Sequence, residues 1–175
     1  MEVRLSTEQD IDRVMEVLAE GRAAIATLGI DQWQAGYPFR STIEADIAAG
    51  KSYVLLDEDD IVATFMYEPD GEPTYDEIDG AWLSMGDSAQ PSYACMHRVT
   101  VAAGKTGKGY AKHMVHAALD RAREDGFEGL RIDTHPGNLA MRGLVEGLGF
   151  EFCGMIYIAH AGEGTPDRVA YERLV

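Results

Sequence analysis

Apolar positions recur along this chain with two periods, and the switches between them mark out its elements. In EVRLS, Val3 and Leu5 alternate with polar neighbours as in a strand, and Ile11, Val14, Met15, Leu18 and Ile25 then fall at helical spacing up to Gly29. Ser6 with Gln9 forms an S-x-x-Q capping box ahead of that helix. GIDQWQAGYPF, broken by Gly29, Gly36 and Pro38, reads as a loop, and Ser41 with Glu44 caps a short helix that stops near Gly50. SYVLLDEDDIVATFMYEP is two strands around an acidic turn, a hairpin. Residues 69–92, rich in turn formers and acids, predict a long excursion with one helical turn. YACMHRVTV is a β-branched strand that runs into AAGKTGKG. Beyond Gly107, positions Ala111, Met114, Val115, Ala118, Leu119 and Ala122 make one apolar helical face ending near Gly126. GLRIDTH predicts a strand, NLAMRGLVEGLGF a short helix closing on Gly149, and FCGMIYIAH and RVAYERLV two final strands.

Hairpins mixed with strand-helix-strand crossovers imply a mixed sheet flanked by helices, of the α/β or α+β class. With 175 residues and no repeat, low-complexity tract or linker, residues 1–175 predict a single domain. No apolar run is long enough to span a bilayer, and MEVRLSTEQD lacks the basic-then-apolar layout of a signal peptide, so a cytoplasmic protein without a membrane partner is expected. Cys95 and Cys153 lie far apart with no C-x-x-C spacing and no zinc pattern, which predicts two buried thiols and no metal.

Charge changes the picture at one place. A formal net charge of -15 argues against a nucleic-acid partner, since phosphate-binding surfaces need clustered cations. Yet no Asp or Glu lies between Asp87 and Asp120, where Arg98, Lys105, Lys108 and Lys112 fall. A strand, a glycine turn carrying lysines and then a helix is the layout in which free amides at a helix N-terminus meet phosphate. A nucleoside-triphosphate loop is excluded because Tyr110 stands where its lysine belongs, and a dinucleotide fingerprint fails at Lys112. A glycine turn with solvated lysines and no ligand is the plain alternative.

HRVTVAAGKTGKGYAKHMVHAAL followed by LRIDTHPGNLAMRGLVEGLGF resembles the acyl-CoA-binding half of the GNAT superfamily of N-acetyltransferases. Thr106, Gly107, Lys108, Gly109, Tyr110 and Ala111 occupy the family's [QR]-x-x-G-x-[GA] turn, and Asn138, Met141, Val145, Gly149 and Phe150 its N-x-x-A-x-x-x-Y-x-x-x-G-F motif. Three positions depart: Thr106 replaces Arg or Gln, Met141 a small residue, and Val145 the tyrosine that protonates the departing thiolate. The resemblance implies a GNAT-like, mostly antiparallel sheet whose strands at 99–101 and 131–135 splay apart. It implies that the pantetheine arm of acetyl-CoA bonds to the backbone of Val99 and Val101, that the diphosphate sits on residues 107–112 including Lys112, and that Asn138 faces the thioester end.

Acetyl transfer to an amine then needs a proton acceptor near the splay, for which His97, His135 and Asp133 are candidates. With Val145 unable to act as an acid, Tyr157 or Tyr171 is the available phenol. Trp33, Tyr37, Tyr75 and Trp82 come from the segments that in this family build the acceptor pocket; aromatics there either wall a pocket or pin a loop. Glu72, Asp76, Glu77 and Asp79 favour a cationic acceptor. The expected activity is N-acetylation of a small-molecule or peptide amine, in a chain whose closing strands are able to pair as a homodimer. The alternatives are a non-catalytic CoA-binding module and an unrelated phosphate-binding scaffold.

Overall fold

The computed structural model describes residues 1–158 and 164–175. In chain order the elements are β1 (Glu2–Leu5), α1 (Ile11–Ala26), α2 (Arg40–Ala48), β2 (Ser52–Asp57), β3 (Asp60–Glu68), β4 (Asp79–Gly80), β5 (Gly86–Asp87), β6 (Gln90–Pro91), β7 (Tyr93–Val101), α3 (Tyr110–Glu124), β8 (Gly129–Thr134), α4 (Leu139–Gly147), β9 (Glu151–Tyr157) and β10 (Asp167–Leu174). Eight strands form one mixed sheet in the order β1-β2-β3-β7-β8-β10-β9-β4, and β5 with β6 makes a small separate ribbon. The long helices and strands follow the predicted order. The last two residues of the predicted strand FCGMIYIAH, Ala159 and His160, lie outside the described residues.

Period-two burial explains how helices cover both faces. Val54 turns to α1 and α2, packing with Val14, Leu18 and Ile43, while Leu55 joins the larger core under α3 and α4 with Met114, Leu119 and Val145. Residues 61–67 of β3 are all buried because both sides of that central strand are covered. A third, smaller core, with Tyr75, Tyr93, Cys95 and Ile156, lies beneath residues 69–92.

Two helix starts differ from the capping boxes read in the sequence. Ser6 is buried with its hydroxyl 2.8 Å from that of Ser52, and the chain turns one residue later, where the Asp10 carboxylate accepts the Thr7 amide at 2.7 Å. Arg4 locks that carboxylate at 2.7 Å and, with the Thr7 contacts, holds its pKa far below the usual range despite burial. Ser41 and Glu44 lie inside α2, which starts at Arg40, and Glu44 pairs with Arg40 at 3.0 Å instead of capping.

The positioning feature is a parallel pair that comes apart. β7 and β8 are paired only at Tyr93–Cys95 against Gly129–Arg131. Beyond that point β7 stays with β3, through a register shift beside Arg98, whose φ of 54° is left-handed for a non-glycine residue. β8 stays with β10 as far as Thr134. The sheet therefore opens like a wedge, as the resemblance implied.

Candidate active site

Three connected hollows fill the wedge. An outer groove of about 380 Å³ runs between Gly21, Ala24 and Ile25 of α1, Val99–Val101 of β7, Thr106 and Ala111 at the turn, and Asn138, Met141 and Leu144 at and within α4. Trp33, Val99, Asn138 and Met141 continue into a middle hollow with Met96, Arg98, Ile132 and Asp133. The innermost pocket is walled by Gln32, Trp33, Tyr37, His97, Arg98, Asp133, Ile158 and Arg168. Gly21 lets α1 lie close against β7 along the groove, since a Cβ there would sit 2.3 Å from the Thr100 methyl.

At the outer end, α3 begins at Gly109, whose φ of 83° is left-handed, and among the described residues no side-chain oxygen caps its first amides. A Cβ on Gly104, Gly107 or Gly109 would meet no atom within 4 Å, so these glycines shape an open turn instead of filling a packed one. Open, uncapped amides fit a diphosphate, and Thr106 and Ala111 line the groove beside them. Lys108 and Lys112 are exposed, and Lys112 does not line the groove. Lys105 is held 3.1 Å from Asp60, which corrects the reading of it as a free phosphate-screening cation. Tyr110 opens α3 with its backbone, while its ring is buried in the core and its hydroxyl bonds Asp57, so only its amide faces the turn. Asn138 caps α4, its side chain accepting the Met141 amide at 3.2 Å while it faces the groove.

At the inner end, His97 stands between two carboxylates. Its Nε2 is 3.4 Å from Glu72 Oε2 and its Nδ1 3.7 Å from Asp133 Oδ1. Asp133 also accepts the Tyr75 hydroxyl at 2.6 Å and lies 3.8 Å from Arg168 Nε. Arg98 donates to Tyr37 Oη and to Asp46, each at 2.5 Å. Burial raises the Asp46 pKa and Arg98 opposes the rise. The structure thus brings His97, Asp133, Trp33 and Tyr37 together, at the end of the hollow that Val99 and Asn138 enter from the turn.

Other sequence candidates fall elsewhere. His135 points away from these hollows: its Nδ1 accepts the Gly137 amide at 3.0 Å, its Nε2 lies 3.9 Å from Asp31, and burial with Arg168 nearby lowers its pKa. Tyr157 is 55% exposed on β9 and lines none of the three hollows. Tyr171 is buried, donating to Glu146 at 2.7 Å and accepting from Arg142. Tyr75 is 1% exposed, so it supports Asp133 from behind and walls no pocket; burial, then Asp133, drives its pKa well above 10. Trp82 pins its loop, donating to the Tyr75 carbonyl at 2.9 Å with its ring 4.3 Å from the Arg131 guanidinium. Val145 is buried in the main core and faces away from the groove.

Sequence reasoning missed Arg98, Gln32 and Arg168 as pocket residues. A charged residue inside the apolar run YACMHRVTV was the available signal for Arg98; nothing local marks Gln32 or Arg168.

With this geometry in hand, comparison with known proteins is informative. Residues 16–150 match the model of the Acetyltransferase (GNAT) family. The chain is similar to a GNAT-family acetyltransferase of Streptococcus agalactiae 2603 at 28% identity and a TM-score of 0.86, covering 99% of this chain and 95% of that one. It shares its fold with the ribosomal-protein-alanine N-acetyltransferase of Brucella melitensis, at 18% identity, TM-score 0.67 and complete coverage of both chains. It also shares it with GphF, a GNAT-like decarboxylase in complex with isobutyryl-CoA, at 14% identity, TM-score 0.74 and 99% of each chain. Among curated proteins none matches significantly.

Proposed function

The chain belongs to the acetyltransferase (GNAT) family, and from that premise we propose that it transfers the acetyl group of acetyl-CoA to a primary amine of a small molecule or peptide. One observation carries this reading: between β7 and β8 a succession of hollows, each sharing lining residues with the next, leads from the uncapped turn at Gly109 to the pocket of His97 and Asp133. A diphosphate at one end and an amine at the other are thereby joined by a path along the free edge of β7.

Acetyl-CoA, when bound, supplies an activated acyl thioester. The amides of residues 107–111, with Thr106 and Lys108 beside them, hold the diphosphate. The backbone of Val99 and Val101 aligns the pantetheine arm, and Asn138 with Met141 borders its thioester end. Trp33 and Tyr37 wall the acceptor, and the wall keeps water from the reacting centre. An amine enters as its ammonium ion, and His97, aided by the Asp133 charge, takes one proton so that the nitrogen lone pair is free.

A second reading, a CoA-binding module without turnover, is favoured by the buried Val145, which leaves no phenol at the position the family uses for thiolate protonation. Calorimetry with CoA followed by a thiol-release assay over a panel of amines separates them. Heat of binding with amine-dependent thiol release is the expected result. Binding without release across the panel supports the module, and no binding heat overturns both.

A further inference from the structure

Resting on the N-acetyltransferase reading, we propose that Glu72 is the positioning residue for His97: it holds the Nε2 edge of the ring so that the Nδ1 edge remains turned to the acceptor pocket as proton acceptor. Glu72 lies on the excursion between β3 and β7, far from the motifs of the turn and α4, and the sequence marks it only as one acid among several.

The geometry of the carboxylate leaves it one free task. Its Oε1 is taken by the Thr74 amide at 3.0 Å and the Thr74 hydroxyl at 2.7 Å, so the group cannot rotate, and Oε2 is left facing His97 Nε2 at 3.4 Å. That distance is an ion-pair contact short of good hydrogen-bond geometry, and Nε2 is buried with no other acceptor. Such contacts in ligand-free sites tighten when the ring gains its proton. Burial alone would raise the Glu72 pKa, yet the contacts with His97 and Thr74 bring it down to about 2.

The surrounding charges single out the same residue. Asp133, on β8, faces Nδ1 but also meets Arg168 of β10 at 3.8 Å and the Tyr75 hydroxyl. Asp46, on α2, is engaged by Arg98 at 2.5 Å. The Tyr75 ring packs 5.8 Å from the imidazole as a neutral neighbour. Among the described residues no Lys or Arg pairs with Glu72, so its charge answers to the ring alone. In the proton step, one N–H bond of the acceptor's ammonium breaks, its proton binds Nδ1, and the electron pair stays on the amine. The resulting imidazolium keeps its Nε2–H aimed at Glu72, the role a carboxylate plays behind a histidine base in general.

The experiment has two arms. In the first, the His97 ring is followed by NMR against pH, without substrate, in the parent chain and in Glu72→Gln, which keeps the side-chain volume. The titration midpoint of that ring is expected to fall by about 0.5–1 pH unit in the variant, with the other histidines unmoved. In the second, the pH profile of kcat/KM for thiol release is expected to show its acid limb shifted by the same amount. KM for acetyl-CoA stays unchanged and Glu72→Asp recovers part of the lost kcat. An unmoved His97 midpoint overturns the proposal. If no amine supports thiol release, the acyl-transfer reading falls while the NMR arm still decides whether Glu72 holds the ring.

Discussion

The turn at residues 104–109 and the strap at residues 69–92 each carry three glycines, and they use them for opposite ends. At Gly109 the backbone is left-handed and the space around an added Cβ is open. At Gly80, where β4 meets β9, an added Cβ would lie 2.1 Å from the Cys153 carbonyl oxygen, and its partner Gly154 is equally tight. The first glycine keeps amides accessible to a ligand, and the second lets two backbones touch. The strap is further sewn down by Glu172, fully buried, which accepts the Leu83 amide at 2.6 Å and the Ser84 amide at 3.2 Å. Glu172 also pairs with Arg131, whose guanidinium lies 3.5 Å from the centre of the Tyr93 ring. A ligand site that must admit a partner is left unsatisfied; a strap that must hold Glu72 and Tyr75 in place satisfies itself.

This contrast can be broken from either side. The largest stability effect is expected for Glu172→Ala, which strands Arg131 as an unpaired buried cation; a loss of about 3–5 kcal/mol in urea unfolding is predicted. Gly109→Glu is expected to weaken CoA binding by about 100-fold or more, roughly 2.7 kcal/mol in calorimetry, because bulk and negative charge replace the open amides. If affinity is unchanged, the turn does not hold the diphosphate. Gly80→Ala should cost about 1–3 kcal/mol by overpacking and should speed amide hydrogen exchange at residues 79–84, while the turn's CoA affinity is kept. Thr106→Arg, restoring the family's cation, should tighten CoA binding by up to about tenfold, or 1.4 kcal/mol.

A last effect is one of pH. With its folded pKa at about 2 against the usual 4.5, Glu72 contributes stability that is complete above about pH 4.5 and is lost as pH falls toward about pH 2. Melting curves of Glu72→Gln should therefore show a shallower decline over that window than those of the parent chain. Equal declines would remove Glu72 from the strap's electrostatics.

How much of this was legible in the sequence follows the same division. The turn was readable because its shape is a backbone property, and glycines after a strand and before an amphipathic helix are a local signal. The helices were readable from their apolar faces, although Thr7 with Asp10, locked by Arg4, displaced the start read at Ser6. For Tyr75 and Trp82 the sequence left pocket wall and loop pin open, because the choice depends on a partner from another strand: Asp133 on β8 for one, Arg131 on β8 for the other. His135 was offered as a base on its place near the splay, yet β8 ends at Thr134, the alternation that would have kept it on the face of Asp133 stops there, and the ring meets Gly137 and Asp31 instead.

By itself, then, the sequence determined the order of the long elements and the glycine turn, since periodicity and backbone conformation are set by residues a few positions apart; the splay of the two strands came from the family resemblance. Tertiary structure alone decided which charges meet at the inner pocket. Glu72, His97 and Asp133 come from three separate segments, and only the packing of the strap against the sheet puts both carboxylates within about 4 Å of the His97 ring, the range at which ion pairing acts.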